Sequence, residues 1–218
     1  MGMKSDEKIC VIISGGYYSP IGRMDDADYV IACDKGFDYA VREGITPHLI
    51  IGDFDSCSDE VRGLIEQELK VQVERYPSEK DDTDTMLGIK RALERGCHRI
   101  RICCGLGGRM DHLYANMQAL VYAAKRGVLC SVEDETNCIY AMGPGCIELP
   151  RREGWSVSLF AATDCCKGIT TNGLKYPLDN GTLMNDFPLG MSNEWVADYA
   201  TVELKEGILL VILSKKEV

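Results

Sequence analysis

Two carboxylates stand two residues apart in LIIGDFDS, Leu49 to Ser56, directly after an apolar run. On a continuing strand Asp53 and Asp55 would point to opposite faces, but Gly52 permits a turn that lets both converge. Converging carboxylates repel unless a proton or a cation lies between them. Magnesium, a hard ion that prefers oxygen ligands and keeps some of its water, suits that gap. A solvated acidic turn would read the same way in isolation.

Three further stretches add to it. Asp34 follows the apolar run YVIAC and should lie just past a strand end, where open parallel sheets bind ligands; alone it reads equally as a turn or cap aspartate. SEKDDTDTMLGI, Ser78 to Ile89, supplies Lys80, Asp81, Thr83 and Asp84 at the start of an amphipathic pattern. There Asp81 and Asp84 can share a helix face, and Lys80 is suited to neutralising a phosphate. Asp and Thr are also ordinary helix caps, so Asp82 or Thr83 could do no more than that. CCGLGGRMDH, Cys103 to His112, offers glycines that let a ligand approach the backbone, Arg109 to grip phosphate oxygens, and Asp111 at the next helix start. It is neither a P-loop nor a G-x-G-x-x-G fingerprint.

The elements that must position these groups follow from the apolar periodicity. Ile9–Ser14, Tyr29–Ala32, Leu49–Gly52, Val71–Tyr76, Arg99–Cys103 and Val128–Glu133 read as strands, and Ser58–Leu69, Thr83–Arg95 and Asp111–Arg126 as helices. Alternating strands and helices imply a mostly parallel α/β sheet, so four strand ends would carry the acids and cations along one edge. After about Asn137 the rhythm changes to short segments broken by GPG, REG, NGL and DNG turns, which predicts an all-β module joined between Glu133 and Tyr140.

Bulk composition narrows the classes. A chain of 218 residues, 45 % hydrophobic and 27 % charged, can bury a core, and no apolar run is long enough to span a bilayer. The N-terminus lacks the pattern of a secretory signal, so a cytoplasmic protein is expected. The eleven cysteines include two adjacent pairs and no C-x-x-C, which favours reduced thiols over a disulfide framework or a zinc site. A formal net charge of −10 argues against nucleic acid and anionic membranes as partners. A nucleotide remains compatible if a metal ion and local cations offset the carboxylates.

Taken together the motifs resemble those of the thiamine pyrophosphokinase (thiamine diphosphokinase) family, bacterial type. The resemblance rests on C-D-K-G at Cys33–Gly36 in place of the usual A-D-G-G, G-D-F-D-S at Gly52–Ser56, K-D-D-T-D at Lys80–Asp84 and G-G-R-M-D-H at Gly107–His112. It continues through G-I-T-T-N-G-L-K-Y-P-L at Gly168–Leu178 and G-M-S-N-E-W at Gly190–Trp195. It implies an α/β catalytic domain with a Rossmann-like parallel sheet over 1–136, then an antiparallel β-sandwich over 137–218 that binds thiamine and dimerises. The implied reaction moves the terminal diphosphate of ATP to the hydroxyl of thiamine, leaving AMP. Carried onto this chain, the resemblance makes Asp53, Asp55 and Asp84 the magnesium acids, with Asp34 beside them. Lys80, Asp81, Thr83, Arg109 and Asp111 would face ATP or thiamine, and Ser192, Asn193 and the turn at Leu174 would shape the thiamine pocket.

Two departures stand out. Lys35 replaces a glycine, and the strand GILLVIL lacks the tryptophan that animal members place against thiamine, leaving Trp195 and Tyr176 as candidate aromatic partners. Two rival readings are a diphosphokinase for another heteroaromatic alcohol, such as a hydroxymethylpterin, and a nucleotide- or thiamine-binding regulator without turnover.

Overall fold

The computed structural model describes residues 7–60, 63 and 71–216. The chain divides into two compact units, one comprising residues 1–119 and 130–135 and the other residues 120–129 and 136–218.

In the first unit, β1 (Ile9–Ile13), β2 (Tyr29–Cys33) and β3 (Leu49–Gly52) are buried along their whole length, as strands covered on both faces must be. With β4 (Gln72–Arg75), β5 (Arg99–Cys103) and β6 (Leu129–Glu133) they follow the order β6-β5-β1-β2-β3-β4. The pairs β5–β1, β1–β2, β2–β3 and β3–β4 are parallel. Helix α1 (Gly36–Arg42) packs its Phe37, Tyr39 and Ala40 with Val11, Ile13, Val30, Ala32 and Ile50. On the opposite face, Gly88 of α2 (Asp84–Glu94) sits so close to Ile12 and Cys33 that an added Cβ would lie 3.1 Å from the Cys33 Sγ. Helices therefore cover both faces of the sheet, and the strands end together at one carboxyl edge. A third helix, α3, runs Met110–Ala124.

The sequence pattern does not foretell α1, because D-K-G after β2 reads as a turn. Gly36 makes the helix possible: a Cβ there would lie 2.0 Å from the Ile13 carbonyl oxygen, so only glycine lets α1 start against β1. The helix expected over Ser58–Leu69 lies mostly outside the described residues.

The second unit is antiparallel throughout. Strands β7 (Asn137–Met142), β9 (Trp155–Ala161), β12 (Gly190–Asn193) and β14 (Leu209–Lys215) follow the order β12-β9-β14-β7. Strands β8 (Gly145–Pro150), β10 (Cys165–Asn172), β11 (Gly181–Met184) and β13 (Tyr199–Leu204) form a four-stranded sheet in the order β11-β10-β13-β8. Burial alternates along β13 and β14, as it does for sheets with one buried face. Val157, Leu159, Val211 and Leu213 from one sheet meet Leu149, Ile169, Val202 and Leu204 from the other in a single core. The fold is thus an α/β parallel-sheet unit and an antiparallel β-sandwich. Among the described residues no helix is long and apolar enough to cross a membrane.

Candidate active site

At the carboxyl edge of the first unit, three carboxylates converge: oxygen atoms of Asp34, Asp53 and Asp55 lie within 4.8 Å of one another. Backbone geometry makes the meeting possible. Asp34, with φ 48°, and Phe54, with φ 64°, both occupy the left-handed region, and Phe54 turns its ring into the core, only 3 % exposed. Anchoring Phe54 inward swings its two neighbours out to the same edge. Gly52 has φ 156°, and a Cβ there would lie 3.1 Å from both Cα and Cβ of Asp34, so its bareness lets the two strand ends touch.

Hydrogen bonds hold this group. Ser56 donates its hydroxyl to Asp34 Oδ2, and the Asp55 backbone N–H donates to Asp53 Oδ1 at 3.1 Å. Burial works upward on the Asp53 carboxyl, but the Asp55 N–H, the Ser78 hydroxyl and the Lys80 charge outweigh it and hold the carboxyl below its usual range.

Asp84 stands apart from that trio. Its Oδ1 is buried and lies 3.1 Å from Lys80 Nζ. Burial pushes its carboxyl up, with the charges of Asp34 and Asp53 adding to the push and Lys80 opposing it. Asp34 thus belongs to the converging group with Asp53 and Asp55, and Asp84 faces the same cleft from the start of α2.

A cleft of about 290 Å³ opens beside these groups. Asp34, Asp53, Lys80, Thr83 and Asp84 line it, together with Gly105 and Gly107. Thr83 also caps α2, its hydroxyl accepting from the Met86 N–H at 3.1 Å. Asp82 lines the cleft as well and pairs with Lys90 at 2.6 Å, whereas Asp81 is exposed and is not among the lining residues. Arg109 and Asp111 also lie outside the lining, exposed and bonded to each other through two contacts of 2.6 and 3.1 Å.

Sequence reasoning missed Ser14, Gly15, Gly16, Ser78, Thr85 and Asn116, all of which line the cleft. The first three follow β1 directly, so the strand-end rule used for the other motifs would have found them. Thr85 and Asn116 carry no such signal. They are braced inside, the Thr85 hydroxyl 2.8 Å from that of Ser14 and Asn116 Nδ2 donating to the Gly105 carbonyl at 2.7 Å.

In the second unit, Ser192 is exposed with φ 58°, and its N–H donates to the Ser158 hydroxyl at 2.9 Å. Asn193 is engaged at both amide atoms: Oδ1 accepts from the N–H groups of Tyr176 and Glu194, and Nδ2 donates to the Tyr176 carbonyl. Leu174 is buried and bridges to Trp195. Trp195 itself belongs to the core, with Nε1 donating to the Leu149 carbonyl at 3.0 Å, whereas Tyr176 is 62 % exposed.

A parallel sheet with acids, a lysine and bare glycines at its carboxyl edge has the build of a nucleotide-dependent phosphotransferase. Residues 23–131 match the family model described as the thiamin pyrophosphokinase catalytic domain, and residues 146–209 the one described as its vitamin B1 binding domain. The chain belongs to the thiamine pyrophosphokinase family. It is 32 % identical over 208 residues to the thiamine pyrophosphokinase of Bacillus subtilis, covering 93 % of this chain and 97 % of that one. The crystal structure of a Bacillus subtilis thiamine pyrophosphokinase superposes with a TM-score of 0.87 at 31 % identity, over 97 % of this chain and 100 % of the other. That of Geobacillus thermodenitrificans gives 0.83 at 29 % identity, over 96 % and 98 %. The Candida albicans enzyme, at 16 % identity over 95 % and 89 %, shares the fold with a TM-score of 0.76.

Proposed function

We propose that the chain transfers the terminal diphosphate of ATP to thiamine at the cleft lined by Asp34, Asp53, Lys80 and Asp84, with Asp55 beside it. The activity follows from family membership; the convergence of Asp34, Asp53 and Asp55 is the observation that carries the site. Three carboxylates this close suit a hard divalent cation, so magnesium fits the donor set, held by Asp53 and Asp55 with Asp34 and Asp84 beside them. Bound there, magnesium supplies charge neutralisation to the ATP phosphates.

The protein's own groups do the rest. Lys80 carries a positive charge into the cleft, which the glycine backbone at Gly15, Gly16, Gly105 and Gly107 also lines. Arg109, Thr83 and Asp111 add contacts to ATP or thiamine, with Arg109 turning from Asp111 to a phosphate. The thiamine hydroxyl attacks the β-phosphorus in line; the new C–O–P bond forms as the bond from that phosphorus to the bridging oxygen of AMP breaks. Asp84, which faces the cleft from the start of α2, accepts the hydroxyl proton. Positioning and electrostatics carry such chemistry, without a covalent intermediate on the protein.

Residues 137–218 take the thiamine role, with Ser192 and the Leu174 turn shaping the pocket and Asn193 holding the Tyr176 turn, and they pair two copies of the chain. An exposed apolar set on this unit, including Phe187, Leu189, Met191 and Val196, supports dimerisation. Eleven free cysteines support a cytoplasmic location. The family match favours thiamine over a pterin and turnover over a purely regulatory role.

The test is AMP release from ATP, magnesium and thiamine, beside Asp55→Asn and Asp84→Asn. Each variant should lose at least about 100-fold in rate while keeping its circular dichroism. Near-normal activity in either removes that residue from the site, and AMP release with a hydroxymethylpterin but not thiamine overturns the substrate.

A further inference from the structure

The loop after β1 presents Tyr17 with 69 % of its surface exposed, beside Gly16, which lines the cleft. Its ring rests on a pair of glycines. Cδ2 of Tyr17 lies 2.7 Å from where a Cβ on Gly107 would be, and Cε1 lies 3.5 Å from where one on Gly108 would be. Both glycines have φ 77°. The pair therefore serves two purposes: it makes the left-handed turn that any other residue would strain, and it gives the aromatic ring a flat seat.

The platform is braced beneath. The Gly16 N–H donates to the Cys104 carbonyl at 2.8 Å, and the Tyr39 hydroxyl donates to the Gly16 carbonyl at 2.8 Å. An exposed ring, immobilised from below at the rim of a polyphosphate cleft, is prepared for stacking. Stacking is the cheapest way to hold a planar heterocycle at low entropic cost.

We propose that Tyr17 is the stacking platform for the purine base of ATP and a determinant of nucleotide specificity. The proposal rests on the polyphosphate reading of the cleft. The nucleotide base accompanies the polyphosphate to this cleft, and the match to a vitamin B1 binding domain lies over residues 146–209, so the base is the heterocycle placed on Tyr17.

Binding of ATP and of inorganic tripolyphosphate, which has no base, is measured by titration calorimetry for the wild type, Tyr17→Phe, Tyr17→Leu and Tyr17→Ala. Loss of a base–aromatic stack should weaken ATP binding roughly 5- to 150-fold in the Leu and Ala variants. Tyr17→Phe should bind as the wild type does, and all four proteins should bind tripolyphosphate alike. The KM for thiamine should not move. Tyr17→Leu keeps an apolar cover on the glycines, so it reports on stacking even where Tyr17→Ala disturbs the loop. Equal losses for ATP and tripolyphosphate, a loss confined to thiamine, or no loss in the Leu variant each overturn the platform. A wild type that binds ATP but not tripolyphosphate overturns the polyphosphate reading and the platform with it.

Discussion

Asn193 ties the Tyr176 turn to β12 through two hydrogen bonds and accepts a third from the Glu194 N–H, so both atoms of its amide are engaged before any substrate arrives. Its primary contribution is to shape, and Asn193→Ala should cost about 1 kcal/mol of stability, read from urea denaturation, with thiamine KM rising as the turn loosens. Unchanged stability with a raised KM would instead mark a direct contact. Individual side chains such as this are where the sequence is least explicit. G-M-S-N-E-W points to the right segment, but nothing in its letters says that Asn193 faces the backbone or that Trp195 lies in the core. The acids were more legible, because Asp34, Asp53 and Asp55 each follow an apolar run. That Asp53 and Asp55 would converge was legible from the turn at Gly52; that Asp34 would join them was not, since that depends on two left-handed backbone positions and the inward anchor of Phe54.

Among the elements, the parallel strands announce themselves as short, unbroken apolar runs, which a sheet covered on both faces requires. Helix α1 does not, because its seven residues begin at a glycine and follow an apparent turn. Gly36 shows why a small residue can matter more than a large one. Gly36→Ala would place a methyl group 2.0 Å from the Ile13 oxygen, so α1 must lift from β1. We expect a loss of about 1–3 kcal/mol of stability, read from chemical denaturation, together with reduced nucleotide binding because Asp34 sits just before the helix. Stability equal to the wild type would mean that the helix slides at no cost. The all-β rhythm after Asn137 was legible for the complementary reason: closely spaced Gly, Pro and Asn turns leave no room for a long helix.

For the whole chain, the net charge of −10 and the exposed apolar side chains pull in different directions. Charge keeps copies apart, whereas Phe187, at 64 % exposed, and Met191, also at 64 %, invite burial. If the proposed pairing of two copies uses this face, Phe187→Asp combined with Met191→Asp should leave a monomer in sedimentation where the wild type runs as a dimer, with the circular dichroism unchanged. A double variant that remains dimeric would move the subunit contact elsewhere. Oligomeric state was the least legible property, because an apolar side chain on a strand reads alike whether it faces the core or a second copy.

The loop between β3 and the second acid carries a consequence for anyone wishing to change what this chain binds. Its curvature is fixed by Gly52 and the inward ring of Phe54, whereas its electrostatic character resides in Asp53 and Asp55 on either side. Contour and charge are therefore encoded by different residues in an alternating order. Ligand chemistry is open to redesign chiefly at Asp55, toward softer donors or a different ion, because Asp53 Oδ1 also accepts the Asp55 N–H and so helps to hold the frame.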